Sequence, residues 1–321
     1  MGFYDIFNGD ADGLCALQQL RLAEPRAATL VTGVKRDIAL LGQVSPKAGD
    51  ELTVLDVSLD SNRDALLRTL AVGAHVRYFD HHFAGEIPTH ALLETHIDMS
   101  ATTCTSLIVD GYLDGRHRMW AIVAAFGDNL PAQAYAAAAE LGIGSDDAET
   151  LKDLGENLNY NAYGANLAEL HFHPATLYLR MRPYADPLAF CAHAPELDTL
   201  RRAREDDLRH ARALPLEKVG EHAVLVCLPQ AAWSRRVIGT FANELARQHA
   251  KRIVALLVRT GAGYQVSLRA PEQGEAAMHL LARQFESGNG RARAAGIAFL
   301  PDSEVTRLRA LLNKPPSPEP A

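Results

Sequence analysis

The amino-acid sequence predicts an α/β protein of two domains, and three observations support this prediction. Apolar strand-like runs alternate with helix-like runs up to Ser100, the following region is mostly helical, and the alternation resumes from Val219. Such alternation indicates a parallel sheet covered by helices. We therefore expect an N-terminal parallel-sheet domain that a helical connector joins to a smaller α/β C-terminal domain.

The elements of the first domain follow from local patterns. The run from Phe3 to Phe7 is apolar and aromatic, as a short buried strand is, and a helix-like pattern begins at Leu14. Further strand-like and helix-like runs follow along the chain. The predicted strands span residues 3–7, 28–34, 52–56 and 75–79, and the predicted helices span 14–24, 62–71, 102–113, 117–126, 131–141 and 146–158.

A charged segment separates the two predicted domains. The segment 195–213 is dense in Arg, Glu and Asp, which is typical of a solvated linker helix. Beyond it we predict strands at 222–228, 253–259 and 265–269, with a helix at 239–249. The predicted organisation is a first domain at 1–194, a connector at 195–215, a second domain at 216–313 and a disordered proline-rich tail at 314–321.

Composition excludes several classes of protein. The 321 residues are 48% hydrophobic, enough for two cores, and carry a formal net charge of −7. Because tight duplex binding needs a broad basic surface, we expect no stable binding to duplex DNA. There is no signal-like leader and no apolar run long enough to span a bilayer, and the four cysteines, which lack a CxxC pair, are predicted to be buried. We therefore predict a cytoplasmic protein without a membrane partner.

Two acids and a glycine lie at the first predicted strand-to-helix turn. Asp10 and Asp12 are two residues apart, so in extended backbone their carboxylates project from the same side of the chain. Gly13 allows a sharp turn and leaves backbone amides free at the helix start. Open α/β sheets bind ligands at such turns. Asp and Gly are also common turn and cap residues, and for this motif alone the two interpretations are evenly balanced.

The same arrangement recurs where later apolar runs end. The acids and imidazoles at these ends are Asp56, Asp80, His81, His82 and Asp128. Several polar clusters at the ends of apolar segments predict one site that is built from several loops.

A cluster of carboxylates requires cations. Two bare carboxylates about 4 Å apart repel by about 4 kcal/mol at an effective dielectric constant near 20. Two divalent ions would balance four carboxylates, and an imidazole nitrogen among the ligands favours Mn²⁺ over Fe, Co or Zn and over Mg²⁺. The residues concerned are Asp10, Asp12, Asp56, Asp128 and His81.

At this point the sequence resembles a known family. The motifs DxDG, an apolar run ending in Asp, DHH and GD occur in the order and spacing of the four N-terminal motifs of the DHH phosphoesterases. Residues 99–106 are similar to the small-residue helix start that follows DHH in that family, and residues 287–296 are similar to its C-terminal GGGHxxAAG signature. The family includes RecJ-type exonucleases, nanoRNase-type oligoribonucleases, cyclic dinucleotide hydrolases and family II pyrophosphatases. The resemblance covers nearly the whole chain and implies an active-site cleft between the domains.

The sequence departs from the family pattern in two places. Many members have a His at the position of Ile6 or an Asp at that of Asn8, which puts the affinity for the first metal in doubt, although Asn8 offers a carbonyl oxygen. In the C-terminal signature, Asn289 and Arg291 stand where the family has Gly and His. Because Arg is always charged and can bind a phosphate through two hydrogen bonds, anion binding is still implied.

The resemblance implies hydrolysis of a phosphodiester by two metal ions, most simply Mn²⁺. Asp56 would bridge the ions, and Asp10 with Asn8 would complete one metal site. The ligands of the other site would be Asp12, His81 and Asp128.

The resemblance also implies the remaining roles. His82 would contact the scissile phosphate or assist the leaving oxygen, and Asp80 would orient His81. In the second domain a phosphate or terminal nucleotide would be bound by Arg269, Asn289, Gly290 and Arg291.

The predicted substrates are short oligonucleotides or dinucleotides, hydrolysed to nucleoside monophosphates. Within the same superfamily a pyrophosphatase or phosphomonoesterase and a single-strand exonuclease stay open as alternatives. Because Asn8 departs from the usual ligand, a catalytically weak nucleotide-binding sensor is a further alternative. A homodimer is also open.

Overall fold

The computed structural model describes residues 1–272 and 277–314. The chain divides into two compact units, the first from Met1 to Arg202 and the second from Ala203 onward. The boundary falls inside helix α9 (Pro195–Arg212), the segment that we predicted as the connector. The predicted proline-rich tail lies, after Lys314, outside the described residues.

The first unit is built on a parallel sheet, as predicted. Its strands are β1 (Phe3–Phe7), β2 (Thr29–Thr32), β3 (Glu51–Leu55), β4 (His75–Asp80) and β5 (Leu93–Ile97). Within the described residues they lie in the order β2-β1-β3-β4-β5, and every neighbouring pair is parallel. The strand β5 was not predicted, because its sequence mixes polar and apolar residues and it lies at an edge that is only partly buried.

Helices cover this sheet and continue beyond it. The helix α1 (Ala11–Ala23) is buried along almost its whole length, because it contacts β1 and also packs against later helices. The remaining helices before α9 are α2 (Leu59–Ala71), α3 (Thr105–Tyr112), α4 (Arg118–Gly127), α5 (Pro131–Glu140), α6 (Ser145–Ala162), α7 (Pro174–Met181) and α8 (Pro187–His193).

Two glycines allow α4 to pack closely against α6 and α1. A Cβ atom at Gly155 would lie 2.1 Å from the carbonyl oxygen of Val123, and one at Gly127 would lie 2.4 Å from the Cβ of Ala11. Real Cβ atoms do not approach other atoms so closely, so larger residues would push the helices apart. This contact fixes the end of α4, where Asp128 follows directly.

A buried ion pair ties α1 to the sheet. The guanidinium group of Arg21 donates to Asp5 on β1, with 2.9 Å between Nε and Oδ2, and also donates to Thr53 Oγ1 on β3 at 3.1 Å. Both charged side chains are almost completely buried. Each charge is therefore compensated by the other and not by water.

The second unit contains a mixed sheet. Its strands are β6 (Glu217–Val219), β7 (Ala223–Leu228), β8 (Ile253–Thr260), β9 (Gly263–Arg269), β10 (Gly288–Gly290) and β11 (Ala294–Pro301), in the order β10-β11-β9-β8-β7-β6 within the described residues. The pair of β7 and β8 is parallel, and the other pairs are antiparallel. The helices here are α10 (Ala232–Gln248), which begins earlier than predicted, α11 (Met278–Ala282) and α12 (Val305–Leu312).

Two further predictions concern the burial of the cysteines and the absence of a membrane-spanning segment. Cys15 and Cys104 are buried, but Cys191 is partly exposed and Cys227 is exposed near the end of β7, so the prediction of buried cysteines was only half right. Among the described residues, none of the helices combines the length and the apolar character that crossing a bilayer requires.

Candidate metal centre

The carboxyl ends of β1, β3 and β4 meet at one edge of the first sheet. The backbone N–H of Asn8 donates to the carbonyl of Leu55 at 3.2 Å, and that of Asp56 donates to the carbonyl of Phe79 at 3.0 Å. Asn8 and Asp56 are therefore neighbours although far apart in sequence. Asp80, the last residue of β4, lies at the same edge.

Asp10 begins α1 and is held by the backbone of that helix. Its Oδ1 accepts hydrogen bonds from the N–H groups of Asp12 at 3.0 Å and Gly13 at 3.1 Å, which is a typical N-cap. A Cβ at residue 13 would lie 2.1 Å from the carbonyl oxygen of Asn8, so only glycine fits this turn. The second carboxylate oxygen of Asp10 stays free of the helix.

Asp12 binds the N-terminus of α3. Its two carboxylate oxygens accept the backbone N–H groups of Thr105 and Ser106, each at 2.7 Å, and the Ser106 hydroxyl donates to the Asp12 carbonyl at 2.8 Å. The helix dipole and the two amides stabilise the negative charge of Asp12. The hydroxyl of Thr105 in turn donates to Oδ1 of Asp56 at 3.2 Å, so both hydroxyl residues hold parts of the site.

His81 lies among three carboxylates. Its Nδ1 is 3.1 Å from the carbonyl of Thr103, and because a carbonyl only accepts, the proton of the neutral ring is on Nδ1. The lone pair of Nε2 is then available. This atom is 3.5 Å from Oδ1 of Asp56, 3.8 Å from Oδ2 of Asp128 and 4.0 Å from Oδ2 of Asp12.

His82 is held by Asp80. The two side chains are joined by a hydrogen bond of 2.7 Å between Nδ1 and Oδ1, and the other carboxylate oxygen accepts the N–H of Leu59 at 3.3 Å. The prediction that Asp80 orients His81 is thus corrected. The strand β4 ends at Asp80, and the course of the backbone beyond it brings His82 to the Asp80 carboxylate. Burial lowers the pKa of His82, but Asp80 more than offsets this, and the pKa is raised above its usual value.

Lys35 is a residue of this site that the sequence reasoning missed. Its ammonium group forms an ion pair with Oδ2 of Asp10, lies 3.7 Å from Oδ1 of Asp128 and donates to Oδ1 of Asn159 at 3.3 Å. One signal could have identified it. Lys35 follows the predicted strand 28–34, and therefore comes from the same sheet edge as the acids.

We call Asp10, Asp12, Asp56, Asp128 and His81 the acidic cluster. Burial raises the pKa of Asp56 well above its usual range, and the nearby carboxylates of Asp12 and Asp10 add to this. Burial also raises the pKa of Asp128, although Lys35 opposes the shift. At Asp10 burial is outweighed by the ammonium of Lys35 together with hydrogen bonds, and the pKa falls to about 2. Burial and mutual repulsion therefore disfavour ionisation of Asp56 and Asp128, and a bound cation would favour it.

The donor atoms fit a divalent transition metal. Within the described residues, two sets in unit 1 have ligand atoms all within 4.8 Å of one another: one is Asp56, His81 and His82, and the other is Asp12, His81 and Asp128. Carboxylate oxygens combined with an imidazole nitrogen suit Mn²⁺, Fe²⁺, Co²⁺ or Zn²⁺. The predicted ligands Asp12, Asp56, His81 and Asp128 are thus brought together, with Asp10 beside them.

Asn8 was also predicted as a metal ligand, but its side-chain amide forms hydrogen bonds with backbone groups. Its Oδ1 accepts the backbone N–H of Asp10 at 3.2 Å, and its Nδ2 donates to the carbonyl of Lys35 at 3.2 Å. The amide therefore joins the loops that carry these two residues.

The predicted substrate-binding residues lie in the second unit. At the end of β9 the guanidinium of Arg269 donates to Oδ1 of Asn243 at 2.6 Å and to Oγ of Ser267 at 2.9 Å. Across β11, the short strand β10 contains Asn289 and Gly290, and Arg291 follows it; all three are exposed. Gly290 has a φ of +144° and lies close to Ala295, a conformation that favours glycine.

No family model and no curated protein matches this chain. Solved structures do match. A RecJ exonuclease bound to manganese is 17% identical with a TM-score of 0.63, covering 98% of this chain and 91% of its own. RecJ from Thermus thermophilus with Mn²⁺ has the same identity, TM-score and coverage of this chain, but only 52% of its own chain is covered. A pGpG-specific phosphodiesterase, PggH from Vibrio cholerae, is 14% identical with a TM-score of 0.54 and 98% coverage of both chains.

These similarities establish the fold. RecJ-type exonucleases belong to the family that the sequence motifs resemble, so the comparison confirms the fold that the resemblance implied. The acidic cluster lies at the sheet edge formed by the motifs that carry the resemblance.

Proposed function

We propose that this chain, which has the fold of the DHH phosphoesterases, is a metal-dependent phosphodiesterase that hydrolyses short oligonucleotides or dinucleotides to nucleoside monophosphates. One observation carries the proposal. Nε2 of His81 lies within 4.0 Å of carboxylate oxygens from three separate chain segments, at Asp12, Asp56 and Asp128. Such a convergence of buried charge is costly unless a cation is bound there.

The acidic cluster would hold a divalent ion through His81 and the three carboxylates around it. The mixed oxygen and nitrogen donors support Mn²⁺ as the preferred ion. When bound, such an ion stabilises charge on phosphate oxygens and lowers the pKa of a water molecule. The protein contributes ligand geometry through hydrogen bonds, which hold His81 to Thr103 and Asp12 to Thr105 and Ser106.

His82 is suited to protonate the leaving oxygen. Its Nδ1 donates to Asp80, which fixes the ring, and 39% of the side chain is exposed toward solvent. The raised pKa of His82 favours the protonated ring. As the bond between phosphorus and the leaving oxygen breaks, that oxygen would take the proton from Nε2 of His82.

The comparisons support a nucleotide substrate. One neighbour in fold is a phosphodiesterase specific for pGpG, and others are exonucleases. The net charge of −7 favours a short anionic substrate held by a few arginines over a long duplex. In the second unit Arg269, Asn289, Gly290 and Arg291 would bind a second phosphate or a terminal nucleotide.

A second candidate function has one observation in its favour. The contact of Lys35 with Asp10 occupies a carboxylate that the sequence had assigned to a metal ion. A nucleotide-binding protein without turnover would also be compatible with such a site.

The two candidates are distinguished by turnover. The purified protein with Mn²⁺ is expected to cleave pApA to AMP and to cleave bis-p-nitrophenyl phosphate. Asp56→Asn should abolish both reactions, and it preserves the backbone, because the φ of +58° at residue 56 suits Asn. Asp64→Asn, at an exposed position of α2, is the matched control and should stay active. Binding of pApA without turnover in Mn²⁺, Mg²⁺, Co²⁺ or Zn²⁺ would favour the binding protein.

A further inference from the structure

We infer that the ammonium group of Lys35 takes the place of a second divalent ion, so that the acidic cluster binds one ion per chain. This inference rests on the proposed function, because it assumes that the His81 side of the cluster binds a metal. It replaces the expectation of two ions. The position concerned is beside Asp10, the carboxylate that the other metal site would have needed as a ligand.

The ammonium group is held on several sides. Besides its ion pair with Asp10, Nζ of Lys35 donates to Asn159 of α6 at 3.3 Å and lies 5.7 Å from the centre of the Tyr163 ring. Only 28% of the side chain is exposed. Residues from separate segments of the first unit thus surround one charged group.

The backbone of Lys35 is anchored as well. Its N–H donates to the carbonyl of Ala162 at 2.9 Å, and its own carbonyl accepts the amide of Asn8 at 3.2 Å. Asn8 therefore has a defined role. Where many members of the family have an Asp, this chain has an amide that positions the lysine. The departure at residue 8 is thus linked by a hydrogen bond to the segment that carries the lysine.

Electrostatics disfavours a second ion beside this lysine. The ammonium group of Lys35 repels a divalent ion placed beside Asp10. An ion bound to Oδ2 of Asp10 would also have to displace the ammonium from that oxygen. The lysine instead supplies a permanent positive charge, and lysine binds phosphate oxygens as a point charge.

Metal stoichiometry tests the inference without depending on turnover. The metal-free protein is saturated with Mn²⁺, freed of excess ion by gel filtration, and analysed by mass spectrometry of the metal and by electron paramagnetic resonance. The unmodified protein is expected to contain one Mn²⁺ per chain and to give the spectrum of an isolated ion. Lys35→Ala, which removes the charge and opens space, is expected to contain two and to show spin coupling between them.

Two variants serve as controls. Lys35→Arg keeps the positive charge and should retain one ion. Lys47→Ala removes an exposed lysine of the same unit and should also retain one.

The other possible results of the metal analysis would each contradict a different part of the argument. Two ions in the unmodified protein would refute the role of Lys35 and leave the phosphodiesterase proposal intact; this measurement needs no variant to fold. One ion in both the unmodified protein and a folded Lys35→Ala would show that the lysine does not exclude the second. No bound ion in any of these proteins would refute the proposed function itself, and the inference with it.

Discussion

The candidate residues of the two units differ in how the protein holds them. In the first unit, each carboxylate of Asp10 and Asp12 accepts backbone N–H groups, and the acidic cluster is largely buried. In the second unit, Asn289 and Arg291 are exposed on and after a short edge strand. The first set is held by hydrogen bonds before any ligand arrives, whereas the side chains of Asn289 and Arg291 are open to solvent.

This difference indicates which residues should affect the reaction rate and which should affect substrate affinity. Preorganised charges act on the reacting atoms, because no reorganisation is needed during the reaction. Exposed side chains lose conformational freedom on binding, at a cost of about 0.5–1.5 kcal/mol each, and so contribute affinity more than rate. Substitutions in the first unit should therefore change kcat or stability, and substitutions at the exposed residues of the second unit should change KM.

The largest effect is expected for His82→Ala with pApA as substrate. Loss of a positioned proton donor should lower kcat by about 100- to 10,000-fold. With bis-p-nitrophenyl phosphate the loss should be much smaller, because nitrophenolate leaves without protonation. Steady-state kinetics with both substrates measures this difference.

His75→Ala is the matched control. This exposed histidine begins β4, at the opposite end of the strand from Asp80. An equal loss of kcat on both substrates in His82→Ala would refute the role of His82 as proton donor.

The next largest effect is expected for the buried ion pair of Arg21 and Asp5 in the first unit. Arg21→Met leaves Asp5 buried without its partner and should lower the free energy of unfolding of this unit by about 3–5 kcal/mol. The variant is made in a Trp233→Phe background, so that the fluorescence of the buried Trp120 reports the first unit alone in urea.

The control for this prediction is Lys152→Met. It breaks an exposed pair with Glu149 and should cost at most about 1 kcal/mol. Adding Asp5→Asn to Arg21→Met should recover part of the stability. If the double variant were no more stable than Arg21→Met, the unpaired charge would not be the cause of the loss.

Much of the first unit could be predicted from sequence, because several of its apolar strands are followed directly by polar residues of the site. The apolar runs ending at Phe7, Leu55 and Phe79 were assigned to strands, and each is followed by a polar residue of the site. Parallel strands bring such ends to one edge, so the proximity of Asp56 to His81 follows from the pattern alone.

Three features could not be predicted, for physical reasons. Lysines are usually exposed, so nothing in the residue type showed that Lys35 turns inward to Asp10. The bond between Asp80 and His82 depends on how the backbone leaves β4. In the second unit β10 is a glycine-rich strand of three residues, and its pairing with β11 comes from tertiary contacts that local propensity does not contain.

A smaller effect is expected in the second unit. Arg291→Ala removes one charge-assisted contact, worth about 1.5–3 kcal/mol, and should raise KM for pApA by about 10- to 100-fold with little change in kcat. Steady-state kinetics is again the measurement. Arg283→Ala, at another exposed arginine of this unit, should leave KM unchanged. A fall in kcat without a change in KM would contradict the division of labour between the units.

The smallest effect concerns a buried carboxylate of the first unit outside the acidic cluster. Asp110 on α3 accepts a hydrogen bond from Nε of Arg118 at 2.9 Å, while no donor among the described residues reaches its Oδ1. Burial raises the pKa of Asp110 in spite of Arg118. A carboxyl with a higher pKa in the folded state than in the unfolded state destabilises the fold once it ionises, so stability is lost as the pH rises from the unfolded pKa through the folded pKa.

Asp110→Asn removes this ionisation. The variant should therefore be more stable than the unmodified protein at pH 7, by less than about 1 kcal/mol because the partly exposed pair with Arg118 is lost, and the advantage should shrink toward pH 4. Urea denaturation at both pH values, in the Trp233→Phe background, measures it. A difference that does not depend on pH would contradict the assignment. If Asp110→Asn stabilises the fold and leaves turnover of pApA unchanged, while Asp56→Asn abolishes turnover, then burial of a carboxylate does not by itself give it a role in catalysis.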